Sequence, residues 1–366
     1  MGLNSFEMTL DWIGRLRKTW LWQRSLHALA VLWGLATMVF VLFFVLPADS
    51  AQMTLGQRSD PETLQEIRTE LGLDLPWGER YLHFLNDLSP LSVYPMGDIP
   101  IRSLLLFSMG SSKALVLKVP YLGKSYQSRR DVVTMVIDAF EGTLVLAVAA
   151  MILATLMGIA MGTLAAYTRS GWLRSLLMGL SMAGVAAPSF LVSLLLAYLL
   201  GYVWGPWTGL PMSGHLWELD PWNGPQLQWK NLLLPALTLG IRPLAVVVQL
   251  TQDSVGDVLQ QDYIRTAQAK GLSKFQIWKR HVMPNALNPV VTALSGWLSS
   301  LLAGAVFVEF VFGWKGMGKM TVDALMVFDL PVVMGVVLWS GFLFVLINNL
   351  VDWLYTVLDP RVKLIA

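Results

Sequence analysis

The sequence predicts an all-α polytopic membrane protein with six transmembrane helices and a long extracytoplasmic loop after the first. Three observations carry that reading. The 366 residues are 55% hydrophobic and 14% charged, with mean hydropathy +0.57, whereas a soluble domain carries about 25% charged residues. Six apolar runs approach or exceed the roughly 20 residues that a helix needs to cross a bilayer. Lys and Arg concentrate in alternate connecting segments, which fixes an orientation.

Taken in order, the runs are Leu26–Leu46, Thr143–Tyr167, Leu176–Val203, Leu232–Leu250, Ala286–Val308 and Leu330–Leu350. The fourth is the weakest, because it is short and holds Arg242, Pro235 and Pro243. The stretch Ile99–Leu117 carries Arg102 and Lys113 and is read as non-spanning. With the N-terminus inside, thirteen Lys and Arg fall on the inner segments and three in the short outer loops. Residues 1–25 are then a cytoplasmic N-terminus, 26–46 the first transmembrane helix and 47–142 an extracytoplasmic loop region. Residues 143–350 form the main transmembrane domain, with a cytoplasmic element at 255–285, and 351–366 hold the end of the last helix and a cytoplasmic C-terminus. The 21-residue first run is too long for the h-region of a cleavable signal.

The long loop carries helix signals of its own. Asp60-Pro61 reads as a cap and first helical residue, with Leu64, Ile67 and Leu71 on one face and Gly72 as the stop. Trp77, Tyr81 and Phe84 are suited to the outer interface. The segment 89–118 is assigned no role.

The net charge of +2 gives no nucleic-acid footprint, and the absence of cysteine excludes disulfides, thiolate chemistry and cysteine-bound metal. His27, His83, His215 and His281 are scattered, so no metal site is expected. Gly313 to Met320, GWKGMGKM, nearly spells a phosphate-binding loop. Met320 stands where the magnesium-binding hydroxyl belongs and no strand precedes it, so the chain is expected to bind no nucleotide and no cofactor of its own.

The most informative stretch is Tyr263–Asn285, YIRTAQAKGLSKFQIWKRHVMPN. Val255, Val258, Leu259 and Tyr263 recur at helical spacing, predicting one helix from about Val255 to Lys270. Gly271 is placed to end it in the left-handed conformation. Ser273 with Gln276 forms a capping-box pattern, and Leu272 with Ile277 a hydrophobic staple. Pro284 is expected to stop the second helix before the next span. The element suits either a docking site for a cytoplasmic partner or an amphipathic segment lying on lipid.

Inside the spans, Arg242, Glu309 and Asp352 are ionisable, a costly placement that marks functional candidates. Glu309 is placed near the outer end of the fifth span, within reach of a pathway. Asp352 sits beside Asn348 and Asn349, where interhelical hydrogen bonds are the expectation. For all three a structural role is the favoured reading. Pro188 breaks the third run and is the other candidate pathway residue. Gly179, Ala183 and Ala187 form a small-residue stripe, suited equally to packing within the subunit or against a second one.

Thr266-Ala267, Gly271 and Pro284 stand at the spacing of the cytoplasmic EAA…G…LP motif, which resembles that of ABC-importer permeases. The wording YIRTAQAKG, with Arg265 for Glu, resembles the dipeptide/oligopeptide branch. Glu70–Leu82, Leu122–Ser128, Ala187–Tyr198, Val311–Met320 and Leu350–Val362 extend the likeness. Met283 for Leu is conservative, and His281 stands where an apolar residue is usual. The resemblance implies a membrane-spanning permease subunit of an ATP-driven importer, not itself an enzyme, in a bacterial inner membrane. It implies a second homologous permease, two cytoplasmic ATP-binding subunits, an extracytoplasmic solute-binding protein and a peptide substrate. Tyr263, Arg265, Thr266, Ala267, Gly271, Leu272, Met283 and Pro284 are then the ATPase-coupling residues. Nickel chelates, sugars or a peptide-like compound are alternative cargoes within the family. A self-contained secondary transporter would need internal repeats or a coupling-ion site, and a membrane enzyme a clustered acid/base or metal set; neither pattern is present.

Overall fold

The computed structural model describes residues 24–45, 75–95, 103–109, 113–303 and 305–358, without the side chains of 109, 113, 303 and 352–358. The expected helix from Asp60 to Gly72 lies outside these residues. Among them, four helices are long and apolar enough to cross a membrane: Arg24–Val45, Val132–Tyr167, Lys230–Leu259 and Leu330–Val351. Two bent pairs raise the number to six if each pair is one span: Gly171–Ala186 with Ser189–Val203, bent by 113°, and Asn288–Leu302 with Val306–Phe312, bent by 60°. The protein is thus mostly helical with four to six candidate spans. The chain divides into two compact units, Met1–Val136 with Ala324–Ala366, and Ile137–Asp323.

The expectation of an all-α chain needs correction. In the first unit β1 (Leu91–Pro95), β2 (Ser103–Met109) and β3 (Lys113–Lys118) form an antiparallel sheet in the order β1-β3-β2. Ala114 and Val116 are fully buried while Leu117 is exposed, the period of two that a strand with one covered face requires. Arg102 and Lys113 make the run costly as a spanning helix, and pairing between neighbouring strands satisfies its backbone instead. Lys118, 7% exposed, is neutralised by Asp87 at 3.4 Å, donates to the Tyr94 hydroxyl and lies over the Tyr94 ring.

Also in this unit, the Trp77–Leu88 helix packs on the first helix. The Tyr81 and Thr37 hydroxyls share a hydrogen bond of 2.6 Å, and the Phe40 ring lies 5.1 Å from Tyr81 and 5.6 Å from Phe84. Two of the three aromatics read as interface residues therefore face protein, while Trp77 is 61% exposed. The segment Leu122–Ser128 is held by Asp329, which accepts from the Ser125 hydroxyl at 2.5 Å and the Tyr126 N–H at 3.1 Å. In the last helix the Asn349 side chain bonds its own Val345 carbonyl at 2.9 Å rather than a second helix, and the side chain of Asp352 lies outside those described.

The second unit is built around Lys230–Leu259. Both prolines lie inside this helix and it runs through them, so the weakest of the predicted runs is one continuous element. Close approach fixes its neighbours. A Cβ on Gly158 would meet Val247 Cγ1 at 2.6 Å, one on Gly184 would meet Ile241 Cγ2 at 2.0 Å, and one on Gly240 the Ala150 carbonyl at 2.9 Å. Gly179, by contrast, faces open space, so the small-residue stripe does not make the intrasubunit contact at that end. A hairpin of β4 (Trp217–Asp220) and β5 (Gly224–Leu227) precedes the helix. Asn231 ties the hairpin down through the His215 carbonyl at 2.9 Å and Glu218 at 2.8 Å.

Candidate functional site

The Tyr263–Asn285 element and the chain before it differ from the single helix expected over Val255–Lys270. Lys230–Leu259 continues to Leu259, Gln261 is extended at φ −70°, ψ 146°, and a separate helix runs over Asp262–Ala269. Val255, Val258 and Leu259 belong to the end of the spanning helix and Tyr263 to the new one. The apolar spacing does not carry across the break: Tyr263 is exposed, and Ile264 and Ala267 join Val255 in the core instead.

Gly271 adopts φ +76°, and the carbonyls before it are satisfied in the pattern of a Schellman motif. The Leu272 N–H reaches the Ala267 carbonyl at 3.3 Å and the Gly271 N–H the Gln268 carbonyl at 2.9 Å. Ser273 then caps the next helix. Its Oγ accepts from the Gln276 N–H at 3.3 Å, while the Gln276 side chain accepts from the Ser273 N–H at 2.9 Å. Such a cap stabilises a helix by about 1 kcal/mol.

Pro284 does not stop this helix. Lys274–Ile277 passes into a π turn, Trp278–Val282, and then into Met283–Ala286 with Pro284 in its first turn. A proline removes one N–H and crowds the carbonyl four residues back. The wider π turn moves the preceding carbonyls aside, and the chain continues almost directly into Asn288–Ala303.

The two short helices present two faces. Ile264, Ala267, Ile277, Val282, Met283 and Ala286 are buried in one cluster with Val255. Ile159 and Ala166 of the Val132–Tyr167 helix, Val258 and Leu259 of the Lys230–Leu259 helix, and Leu272 pack against it. Fully burying a side chain of this size contributes about 1.5–3 kcal/mol, so the element is clamped to the spans rather than laid beside them. The other face is open. Tyr263 is 43% and Phe275 66% exposed, and Phe275 stacks on Trp278 at 5.8 Å. Arg265 and Asp262 pair at 3.4 Å, both largely exposed, which contributes little to stability. The Thr266 hydroxyl donates to the Asp262 carbonyl at 3.1 Å. Pro284 is exposed beside the buried Met283. Of the eight sequence-marked residues, Ala267, Leu272 and Met283 share this core, while Tyr263, Arg265, Thr266, Gly271 and Pro284 are exposed.

Glu309 and Pro188 lie elsewhere in the unit. Pro188 stands at the 113° bend, as the N-cap of Ser189–Leu196. Glu309 is fully buried and its carboxylate is spent on the turn that follows. Oε1 accepts from the Thr143 hydroxyl at 2.8 Å, and Oε2 from the N–H groups of Gly318 at 2.7 Å and Lys319 at 3.2 Å. Thr143 in turn accepts from the Met317 N–H at 2.9 Å, and the buried Trp314 donates to the Gly142 carbonyl at 2.9 Å. These N–H groups open the Met317–Met326 helix, where the helix dipole favours an anion. The near match to a phosphate loop thus has a structural explanation: the anion at that helix start is the chain's own carboxylate. Thr143, Gly316 and Gly318 were not singled out as partners of Glu309. The two glycines of Gly316-Met317-Gly318 are the only local sign, since nothing in the sequence ties position 143 to 309.

The chain matches the family described as binding-protein-dependent transport system inner membrane component over residues 154–364, and the N-terminal model of that family over residues 18–147. A protein of Brucella abortus named as a peptide transport system permease is 35% identical over 343 residues, 93% of this chain and 98% of the relative. The dipeptide transport system permease DppB of Escherichia coli is 34% identical over 351 residues, 90% of this chain and 94% of the relative. Among solved structures, the inward-facing MetNI methionine ABC transporter aligns with TM-score 0.46 and 15% identity, covering 62% of this chain and 97% of that one. The protein belongs to the family of binding-protein-dependent transport permeases, the multi-pass membrane subunits of ABC importers. Members of that family work with ATP-binding and substrate-binding partners.

Proposed function

We propose that this chain is one permease subunit of an ABC importer for dipeptides or oligopeptides. Each bent pair counts as one span, giving six, with both termini cytoplasmic and residues 47–142 outside. ATP hydrolysis belongs to two separate cytoplasmic subunits. A second homologous permease completes the pathway, and an extracytoplasmic binding protein delivers the peptide. The cargo assignment is supported by the similarity to peptide and dipeptide permeases over nine-tenths of the chain.

The observation that carries the mechanism is the two-faced element at Asp262–Ala286. Its open face, with Tyr263, Arg265 and Phe275, suits a groove on an ATPase. Its buried face clamps the second and fourth spans through Ile159, Ala166 and Val255. Closure of the ATPase dimer displaces the element, and a tightly packed core passes displacement on rather than absorbing it. The spans then exchange between outward- and inward-open states, whose balance the partners set.

The test is purification of the full chain from detergent-solubilised native membrane, followed by reconstitution. Two ATPase chains and a second permease are expected to co-purify, with peptide uptake that requires ATP and the binding protein. Recovery of this chain alone across several mild detergents would overturn the reading.

A further inference from the structure

Arg242 stands in the middle of the apolar run Leu232–Leu250, on the helix around which the second unit is built. Among the described residues it has no hydrogen bond or ion pair. A guanidinium at mid-span costs several kcal/mol unless something compensates it. Arg242 is exposed, so its guanidinium is open to an anion that reaches the span.

The surroundings narrow that partner. Arg242 lines a cavity of about 90 Å³ and is its one ionisable side chain. The walls include Ser189, directly after the Pro188 bend, and Leu301 and Ala305, either side of the second bend. The cavity therefore lies where both broken helices interrupt their backbone ladders, the kind of place where non-helical backbone is tolerated beside a water-filled space. Ser189 and Ser300 add hydroxyls, and Trp297 and Phe307 add apolar wall. A water occupies about 30 Å³ in the liquid, so the space takes a small charged group and not a whole peptide. A planar carboxylate fits it, since guanidinium presents paired donors to that shape.

We propose that this cavity is a transient subsite for the free carboxylate of the transported peptide, with Arg242 as the group that binds it. This rests on the importer reading and deepens it. An arginine here compensates the one charge that every unmodified peptide carries at its C-terminus, and leaves the side chains of the cargo unread. The small size of the site suits passage, because only one end of the cargo is held.

The test uses the reconstituted full assembly with saturating binding protein. It compares ATP-driven uptake of a dipeptide with uptake of its C-terminal amide, for the native chain, Arg242→Gln and Arg242→Lys. Loss of a charge-assisted pair predicts that Arg242→Gln lowers free-acid uptake about tenfold, towards the amide rate. Arg242→Lys should retain much of the preference for the acid. Loading of the binding protein is measured separately, and it cannot change between permease variants. Equal losses for acid and amide, or no loss in Arg242→Gln, would overturn the proposal. So would dissociation of the assembly in Arg242→Gln with recovery in Arg242→Lys, which would identify the partner as an acid on another subunit. Absence of ATP-driven uptake by the native assembly would instead sink the importer reading itself.

Discussion

Two turns of the second unit use glycine for opposite reasons. At Gly271 the backbone takes φ +76° and a Cβ would meet nothing within 4 Å. At Gly316 and Gly318 the backbone is ordinary, but a Cβ would lie 2.4 Å from the Glu309 carboxylate or from the Val306 Cα. The first glycine supplies a torsion at an exposed joint, and the second pair supplies space inside a buried one. The joint proposed here as the docking element is held by local hydrogen bonds and one apolar face. The joint that must stay fixed is held by a carboxylate brought from another helix.

The largest effect that could break this comparison is at Gly318. Gly318→Ala drives a methyl into the Val306 backbone, and overpacking of that kind costs about 3 kcal/mol. We expect low recovery of folded protein and a lower thermal midpoint in detergent. Normal yield and midpoint would show that the turn has slack and that space is not its constraint.

Glu309 comes next. Glu309→Ala strands the Thr143 hydroxyl and two N–H groups in a buried site, at about 1–3 kcal/mol for each group left unpaired. Glu309→Gln keeps one oxygen for Gly318 and should lose clearly less. Equal thermal midpoints for the two variants would mean that the buried carboxylate is not what holds the turn.

At Gly271 the expected stability change is smaller and the functional one sharper. A side chain forced into the left-handed region costs about 1–2 kcal/mol, and Asn tolerates it best. Gly271→Val should leave membrane insertion intact while lowering uptake per ATP hydrolysed, and Gly271→Asn should stay near the native ratio. If Val and Asn behave alike, torsion is not the reason for glycine here.

The smallest effect is at a half-buried carboxylate that makes the same kind of bond as Glu309. Asp220 accepts from the N–H groups of Trp222 and Asn223, each at 2.8 Å, and these bonds hold its carboxyl below the ordinary value. Because the folded value is the lower one, this stabilisation is present above the unfolded value. It is lost as pH falls through the folded one. Protection from amide exchange in the β4–β5 turn, taken relative to the intrinsic rate at each pH, should therefore fall in acid, and Asp220→Asn should remove that dependence.

How much was legible follows from range. Gly271, Ser273 and Gln276 interact within a few residues, so their spacing alone predicts the cap and the left-handed turn. Family wording across Tyr263–Asn285 did the rest. Strands β1 to β3 were missed because pairing joins residues such as Leu91 and Leu117, and the apolar pattern of β2 and β3 resembles a failed span. Pro284 misled for a related reason: a proline ends a helix only if no wider turn can take up the lost bond, and the neighbouring core holds one in place.

The sequence by itself determined that this is a membrane chain, where its apolar runs lie, and which short element stands apart from them. Those follow from solvation and from hydrogen bonds between near neighbours. Tertiary structure decided that Glu309 is an anchor, that the fourth run is continuous through two prolines, and that Arg242 borders both helix breaks. Each of these depends on which residues distant in sequence are brought within a few ångströms, and only packing settles that.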